Sequence, residues 1–419
     1  MIETAALQIE AWPIERLIPY ARNARVHSDT QVAQIGASIA EFGFNNPVLA
    51  DPEGGIIAGH GRVLAARQLN HTHIPVIVLG HLSDNQKRAF MLADNKLALN
   101  AGWDADLLGL ELEALAAQDY RLELTGFDDQ ELKDLLAEVA QTSLLDPDEA
   151  PEPAAAVSLP GHLWILGNHR VLCGDGTRHD DLARVLKARS CDLVFTDLPY
   201  NVDYCGKTAT KMKLANDNLG DDFGKFLESA CRAMLEVSQG PLYICMASGE
   251  LHRLYAAFTQ AGGHWSTYVI WAKNTFTLGR SDYQRQYEPI LYGWPEGSKH
   301  FWCGDRNQGD VWFVDKPHRN DLHPTMKPVA LIERAIQNSS RPGALVLDPF
   351  AGSGSTAMAC ERTGRHAALI ELDPVYVDVI VRRWQTYTGR TAVLEERGCC
   401  FDEVACERLG TDAVERKVA

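Results

Sequence analysis

Two short runs of this chain hold the residue types that chemistry needs. The first is Val194-Phe-Thr-Asp197-Leu198-Pro199-Tyr200, an apolar stretch ending in a carboxylate, a proline and an aromatic ring. Asp197 can accept a hydrogen from an amine. The Leu198 carbonyl can accept a second, because the following proline keeps Leu198 extended and aims its C=O in a fixed direction. Tyr200 adds a flat face for a ring. Such a set suits an amine whose lone pair is delocalised into a ring, where both hydrogens must be held while the nitrogen turns pyramidal. The second run is Leu345-Val-Leu-Asp348-Pro-Phe350-Ala-Gly352-Ser-Gly354-Ser-Thr356. Its glycines let the backbone approach a ligand closely. Glu371, seventeen residues beyond Gly354, can accept hydrogen bonds from both hydroxyls of a ribose. No Gly-Lys-Ser/Thr follows and a third glycine is missing, which counts against ATP and NAD and leaves another nucleoside cofactor.

These residues need a scaffold, and the patterning supplies one. Asp192–Thr196, Leu242–Met246, Tyr268–Ala272, Ala344–Leu347 and Ala367–Glu371 are β-like runs alternating with helical ones, which predicts an α/β domain with a largely parallel sheet. In such sheets ligands bind beyond the carboxyl ends of the strands, where both runs fall. His323-Pro-Thr325-Met-Lys327-Pro328 reads as a Pro-bounded turn with a helix starting near Pro328.

Ahead of this domain the pattern changes. Ile14–Pro19 is strand-like; Ser28 and Gln31 form a capping-box pattern, and Val32, Ile35, Ile39 and Phe42 recur at helical spacing, predicting a helix over 29–42 that stops at Gly43. Strands over Pro47–Ala50, Ile56–Ala58 and Ile74–Leu79 follow, with Gly59-His-Gly-Arg62 opening a helix to Leu69. Glycines before a helix leave N–H groups free for phosphate, and an arginine adds a bidentate partner; a plain tight turn with a solvated Arg62 is the alternative. Residues 83–140 are helical and 141–159 read as a Pro- and acid-rich linker. The resulting division is a small α+β domain over 1–82, a helical acidic segment over 83–140, the linker, an α/β domain over 160–390 and a tail over 391–419.

Net charge is −16, which on its face disfavours a polyanionic partner. Residues 100–153 explain most of it, with fifteen Asp and Glu against Arg121 and Lys133, whereas 201–330 balance at fourteen basic and fourteen acidic. The surplus is a solvated helical face, and nucleic-acid contact through a local basic groove stays open. The ten cysteines include no CxxC pair, so no metal site is expected. No run of eighteen apolar residues is present and the start lacks a leader pattern, so no membrane association and a cytoplasmic location are expected.

Asp348-Pro-Phe-Ala-Gly-Ser-Gly-Ser-Thr356 resembles the S-adenosylmethionine loop of amino-methylating DNA methyltransferases, and Asp197-Leu-Pro-Tyr200 resembles their D-P-P-Y motif with Leu198 in place of the first proline. The resemblance implies a Rossmann-like methyltransferase fold, S-adenosylmethionine as cofactor and double-stranded DNA as partner. It implies cofactor-binding roles for Asp348, Phe350, Gly352, Gly354 and Glu371, and places Thr325 and Lys327 of the H-P-T-x-K-P element, with Asp175 of Leu172-Cys-Gly-Asp175, around the same pocket. Asp197, Leu198, Pro199 and Tyr200 become the catalytic set, acting on a base swung out of the duplex. The order, catalytic motif first, resembles the β arrangement, whose target-recognition region lies between the motifs. Here that is 201–322, with Lys207, Lys211, Lys213, Lys273, Arg280, Arg285, Arg306 and Arg319 among aromatics including Trp265, Trp271, Tyr283, Tyr287 and Trp302. The opening Asp favours adenine N6 over cytosine N4. The N-terminal run resembles the ParB N-terminal domain, whose G-x-x-R implies a nucleotide at Gly59 and Arg62, although His60 and Gly61 replace the usual Glu-Arg. Alternatives at this point are a DNA-binding or regulatory protein with an inert methyltransferase part, and methylation of RNA or of a protein glutamine. Fusions of this kind resemble those of phages and prophages; a homodimer and a companion endonuclease are compatible with the family.

Overall fold

The computed structural model describes residues 7–410 apart from 101, 104, 117, 144, 201–219, 278–281, 305 and 316–325. The chain forms two compact units, 1–141 and 142–419.

The first unit is built on a four-stranded sheet of β1 (Ile9–Pro13), β2 (Val48–Ala50), β3 (Ile56–Ala58) and β4 (His73–Val78), in the order β1-β4-β2-β3. Helix α1 (Asp29–Phe42) starts where the Ser28 side chain accepts from Gln31 N, and stops at Gly43, whose φ of 84° no β-carbon favours. The expected strand at 14–19 is instead a short 3-10 turn over Ile14–Arg16, and the strand lies earlier. Ile14 N donates to Thr72 O, so the chain turns inward there and buries Ile14 and Leu17 beside Trp12. Helix α2 (His60–Gln68) packs on α1, and α3 (Asp84–Asn100), α4 (Ala105–Ala116) and α5 (Asp129–Ser143) follow.

The second unit is a ten-stranded sheet, with strands β5 (Leu163–Leu166), β6 (His169–Cys173), β7 (Leu193–Asp197), β8 (Leu242–Cys245), β9 (Gly263–Thr277), β10 (Arg285–Pro295), β11 (Val311–Phe313), β12 (Leu345–Asp348), β13 (His366–Glu371) and β14 (Val393–Leu394). Their order is β11-β9-β10-β8-β7-β12-β13-β6-β5-β14. The centre, β8 to β6, is parallel; antiparallel pairs lie outside it. The strands alternate between two cores, as period-2 geometry requires. Val346 faces α9 (Val329–Ser339), α10 (Ser355–Arg362), α11 (Pro374–Thr388) and α12 (Phe401–Leu409), while Leu345 and Leu347 face α6 (His179–Val185), α7 (Phe223–Val237) and α8 (Leu251–Gln260). From β7 the chain steps to β8 on one side, and from β12 to β13 on the other. The crevice between β7 and β12 is therefore the switch point at which such sheets bind ligands.

Residues 141–159 are not a free tether. Pro147 O accepts from Arg383, Asp148 accepts from Val329 N, and Asp378 accepts from the N–H groups of Val157 and Ser158. The prolines keep this stretch extended, and buried side chains of the second unit collect its polar groups. The tail also belongs to the unit as far as 410: Phe401 packs on Trp164 at 5.1 Å between ring centroids. Among the described residues no helix is long and apolar enough to cross a membrane.

Candidate active site

Parallel register lines up the functional strand ends. Val194 pairs with Leu347, Asp348 with Leu369 and Glu371 with Cys173, so the segments following β7, β12, β13 and β6 emerge side by side. One hydrogen bond joins the two chemical runs. Thr196, just before Asp197, donates its hydroxyl to Asp348 Oδ1 at 2.8 Å, while Thr356 donates to Oδ2 at 2.6 Å and Phe350 N to Oδ1 at 3.2 Å. The buried Asp348 carboxyl is pushed up to about 6 by desolvation, partly opposed by these donors. Its carboxylate is thus turned inward as a brace between β7, the loop and α10.

Gly352 and Gly354 both have left-handed backbone, at φ 53° and 83°. Gly352 N donates to Glu371 Oε2 at 2.8 Å, and Asp373 N donates to Oε1 at 2.9 Å. Burial raises the Glu371 carboxyl to about 7 against these bonds. A β-carbon on Gly352 would meet nothing within 4 Å, whereas one on Gly176 would come within 2.1 Å of Pro349 O. The loop is therefore pressed against 174–177 at one point and open at another. An open cradle lined by backbone and a carboxylate suits a nucleoside cofactor. Phe350 stands edge-on to Phe226 at 5.7 Å, and Asp175 accepts from the N–H and hydroxyl of Thr177. Thr325 lies outside the described residues.

Beside the cradle is a buried charge cluster. Lys327 Nζ is 2.5 Å from Asp197 Oδ2, 3.0 Å from the Tyr200 hydroxyl and 3.2 Å from Glu288 Oε2. Lys327 is thus at the Asp197 carboxylate, a placement the sequence did not indicate. Tyr200 donates to Asp197 Oδ1 at 2.8 Å and lies 3.3 Å from Glu288 Oε2. Lys273 closes the group, 2.5 Å from Glu288 Oε1. Burial alone would raise Glu288, yet Lys327 and Lys273 outweigh it and hold the carboxyl at about 2. For Asp197 desolvation wins over Lys327 and the shift is upward. Burial opposes the charge on Lys327, but Asp197 and Glu288 keep its pKa well above the ordinary lysine value. Leu198 is buried, which fixes the backbone between Asp197 and Pro199.

Glu288 was missed in the sequence because it sits on β10, ninety-one residues beyond Asp197; the available signal was a lone acid at the start of the apolar run Pro289–Gly293. Thr196 and Thr356 were equally silent. Lys273, one of the basic residues of the 201–322 region, pairs with Glu288. Trp271 is core, with its indole N–H donating to Val314 O. Arg285, Arg306, Tyr283, Tyr287, Trp265 and Trp302 are exposed. Lys207, Lys211, Lys213, Arg280 and Arg319 lie outside the described residues. In the first unit, Gly59 opens α2 in a left-handed conformation, as expected, but Arg62 donates to the carbonyls of Asn46 and Pro47 at 2.6 and 3.0 Å. Arg62 thus clasps the 46–47 backbone and is not the solvated side chain of the plain-turn alternative.

A parallel-centred sheet with a Gly-rich cradle and an Asp-x-Pro-Tyr turn at its switch point defines a methyltransferase of the Rossmann-like class. Family comparison agrees: residues 191–382 match the N6/N4 DNA methylase model, 106–160 the ParB-methyltransferase HTH domain and 3–96 the ParB N-terminal domain. The chain carries a DNA methylase domain of the N6/N4 family, a family that uses S-adenosylmethionine, with a ParB N-terminal domain in front. It is 56% identical over 82 residues to the ParB-like nuclease domain-containing protein YnaK of Escherichia coli (strain K12), covering 20% of this chain and 94% of YnaK. It is 28% identical over 270 residues to the type II methyltransferase M.HpaI of Haemophilus parainfluenzae, covering 57% of this chain and 81% of that protein. The DNA adenine methyltransferase YhdJ of Escherichia coli (strain K12) is 29% identical over 249 residues, covering 49% of this chain and 80% of YhdJ.

Proposed function

We propose that this chain is a site-specific methyltransferase acting on adenine N6 in double-stranded DNA. The observation that carries the reading is the Thr196–Asp348 hydrogen bond, which holds the amine-accepting run and the cofactor loop one strand apart. Adenine is favoured by the Asp at the head of the catalytic run and by the adenine specificity in the name of YhdJ. Bound S-adenosylmethionine supplies an electrophilic methyl group on a sulfonium. Glu371 would hold the ribose hydroxyls, with Gly352 and Gly354 giving the backbone approach and Phe350, Asp175, Thr325 and Lys327 lining the pocket.

The chain's own part in the reaction is then positional and electrostatic. Asp197 and the Leu198 carbonyl accept the two amine hydrogens, so that the N6 lone pair turns toward the methyl group and the positive charge developing on nitrogen meets a carboxylate. The amine would take the methyl group and give up one proton, leaving the cofactor as the neutral thioether, and no cysteine nucleophile would take part. Before the base arrives Tyr200 orients Asp197 through its hydroxyl, and its ring is offered to the extruded base. Orientation of this kind can contribute roughly 7–11 kcal/mol.

Incubating duplex DNA with the full chain and labelled cofactor, followed by nucleoside mass spectrometry, should give N6-methyladenine. Recovery of N4-methylcytosine alone would refute the base assignment, and methyl transfer to RNA or protein but not DNA would refute the substrate class. We further propose a cytoplasmic, DNA-associated homodimer. In the ParB-like unit we keep a nucleotide at the Gly59 turn, with the backbone N–H groups of α2 as donors, since Arg62 is engaged elsewhere. Equilibrium dialysis with ribonucleoside triphosphates tests this; no retention would remove it.

A further inference from the structure

Among the described residues, Lys327 and Tyr200 both donate to Asp197 and share the same second acceptor. Lys327 Nζ lies 2.5 Å from Asp197 and 3.2 Å from Glu288 Oε2; the Tyr200 hydroxyl lies 2.8 Å from Asp197 and 3.3 Å from that same Oε2. The other Glu288 oxygen is pinned by Lys273 at 2.5 Å, which leaves Oε2 facing the pair. Asp197 already accepts one of these donors on each oxygen, so an amine hydrogen arriving there competes with them for the carboxylate's charge. A buried ammonium left without an acceptor would be costly. With Oε2 already within reach, Lys327 and Tyr200 can transfer their bonds by a small displacement and stay satisfied.

We propose that Glu288 is a positioning residue for the methyl-transfer reaction, a receiving carboxylate that takes up Lys327 and Tyr200 as the target amine takes its place on Asp197. This rests on the reading of Asp197 as the amine acceptor. The charged and titratable groups facing the cluster are Asp197, Tyr200, Cys245, Lys273, Lys327 and, across the Thr196 bridge, Asp348. Removing the negative charge of Glu288 has two consequences. Lys327 settles on Asp197 alone, which slows turnover, and the Asp197 carboxyl loses a repulsive neighbour, so the acid limb of the pH–rate profile moves to lower pH.

The test compares full-length Glu288→Gln, Glu288→Asp and Asp197→Ala with the unmodified chain on the same DNA. Calorimetric titration with S-adenosylmethionine checks that each is folded. Glu288→Gln should bind cofactor normally, lose about 10- to 100-fold in kcat and shift the acid limb downward, a loss typical of small misplacement at a reacting centre. Glu288→Asp, which keeps the charge, should restore the limb and part of kcat. A folded Glu288→Gln protein with unchanged kcat and profile overturns the proposal, as does a folded Glu288→Asp protein that recovers neither kcat nor the acid limb. Full activity in Asp197→Ala would instead overturn the underlying reading.

Discussion

Replacing Gly352 or Gly354 by alanine perturbs the same loop in two different ways. At Gly354 the new β-carbon would stand 2.9 Å from Cγ1 and 3.0 Å from Cγ2 of Ile380. Ile380 is 1% exposed and β-branched on a helix, so its χ1 cannot swing away. Left-handed backbone costs an alanine roughly 1–2 kcal/mol, and forcing a methyl into a packed core adds about 1–3 kcal/mol. Gly354→Ala should therefore lose roughly 2–5 kcal/mol of stability. Gly352→Ala carries only the backbone cost of about 1–2 kcal/mol, because nothing lies within 4 Å of its β-carbon. Its methyl would instead occupy the cradle. Denaturant unfolding of both variants, paired with calorimetric titration by S-adenosylmethionine, separates the two effects. Gly352→Ala should keep most of its stability and lose at least about tenfold in cofactor affinity, equivalent to about 1.4 kcal/mol. Adding Ile380→Ala to Gly354→Ala should show favourable coupling, since the smaller side chain removes the clash. Equal stability losses in the two glycine variants, or full cofactor affinity in Gly352→Ala, would refute this account of the loop.

The buried carboxyls give the cofactor-free chain a pH dependence of known sign. Asp348 and Glu371 are raised to about 6 and about 7 from ordinary values of 3.8 and 4.5, so the folded state binds their protons more tightly. Their contribution favours folding on the acid side and is lost as pH rises through about 7; Glu288, held at about 2, acts oppositely and loses its contribution as pH falls toward that value. Denaturant titrations from pH 5 to pH 8, taken as about one unit either side of these shifts, should show a shallower decline in Glu371→Gln, and an unchanged slope would count against the assignment. Asp148 supplies the acceptor for Val329 N at the start of α9. Asp148→Ala should cost about 0.5–2 kcal/mol in the same assay, as loss of a helix cap does, and a neutral result would mean that 146–148 is not fixed to this unit.

Local sequence was enough wherever the physics is local. The Ser28 cap and Gly43 stop set the limits of α1, and the unbroken apolar run Leu345-Val346-Leu347 marked the strand that the structure buries on both faces. The Asp348–Thr356 and Asp197–Tyr200 runs were legible as strand ends because an apolar run followed by Gly or Pro marks where a strand stops, and the structure brings the two together. Composition was a poorer guide at 141–159, where prolines and acids resembled a linker until Asp378 and Arg383, more than two hundred residues away, were found to hold the segment. Tertiary structure decided the charge balance of the site. Glu288 and Lys273 on neighbouring antiparallel strands, and Lys327 from the turn before α9, meet Asp197 only when β10 folds back along β8. An ion pair depends on distance in space, which sequence separation does not encode, so the acceptor was legible in the chain and the groups that govern its protons were not.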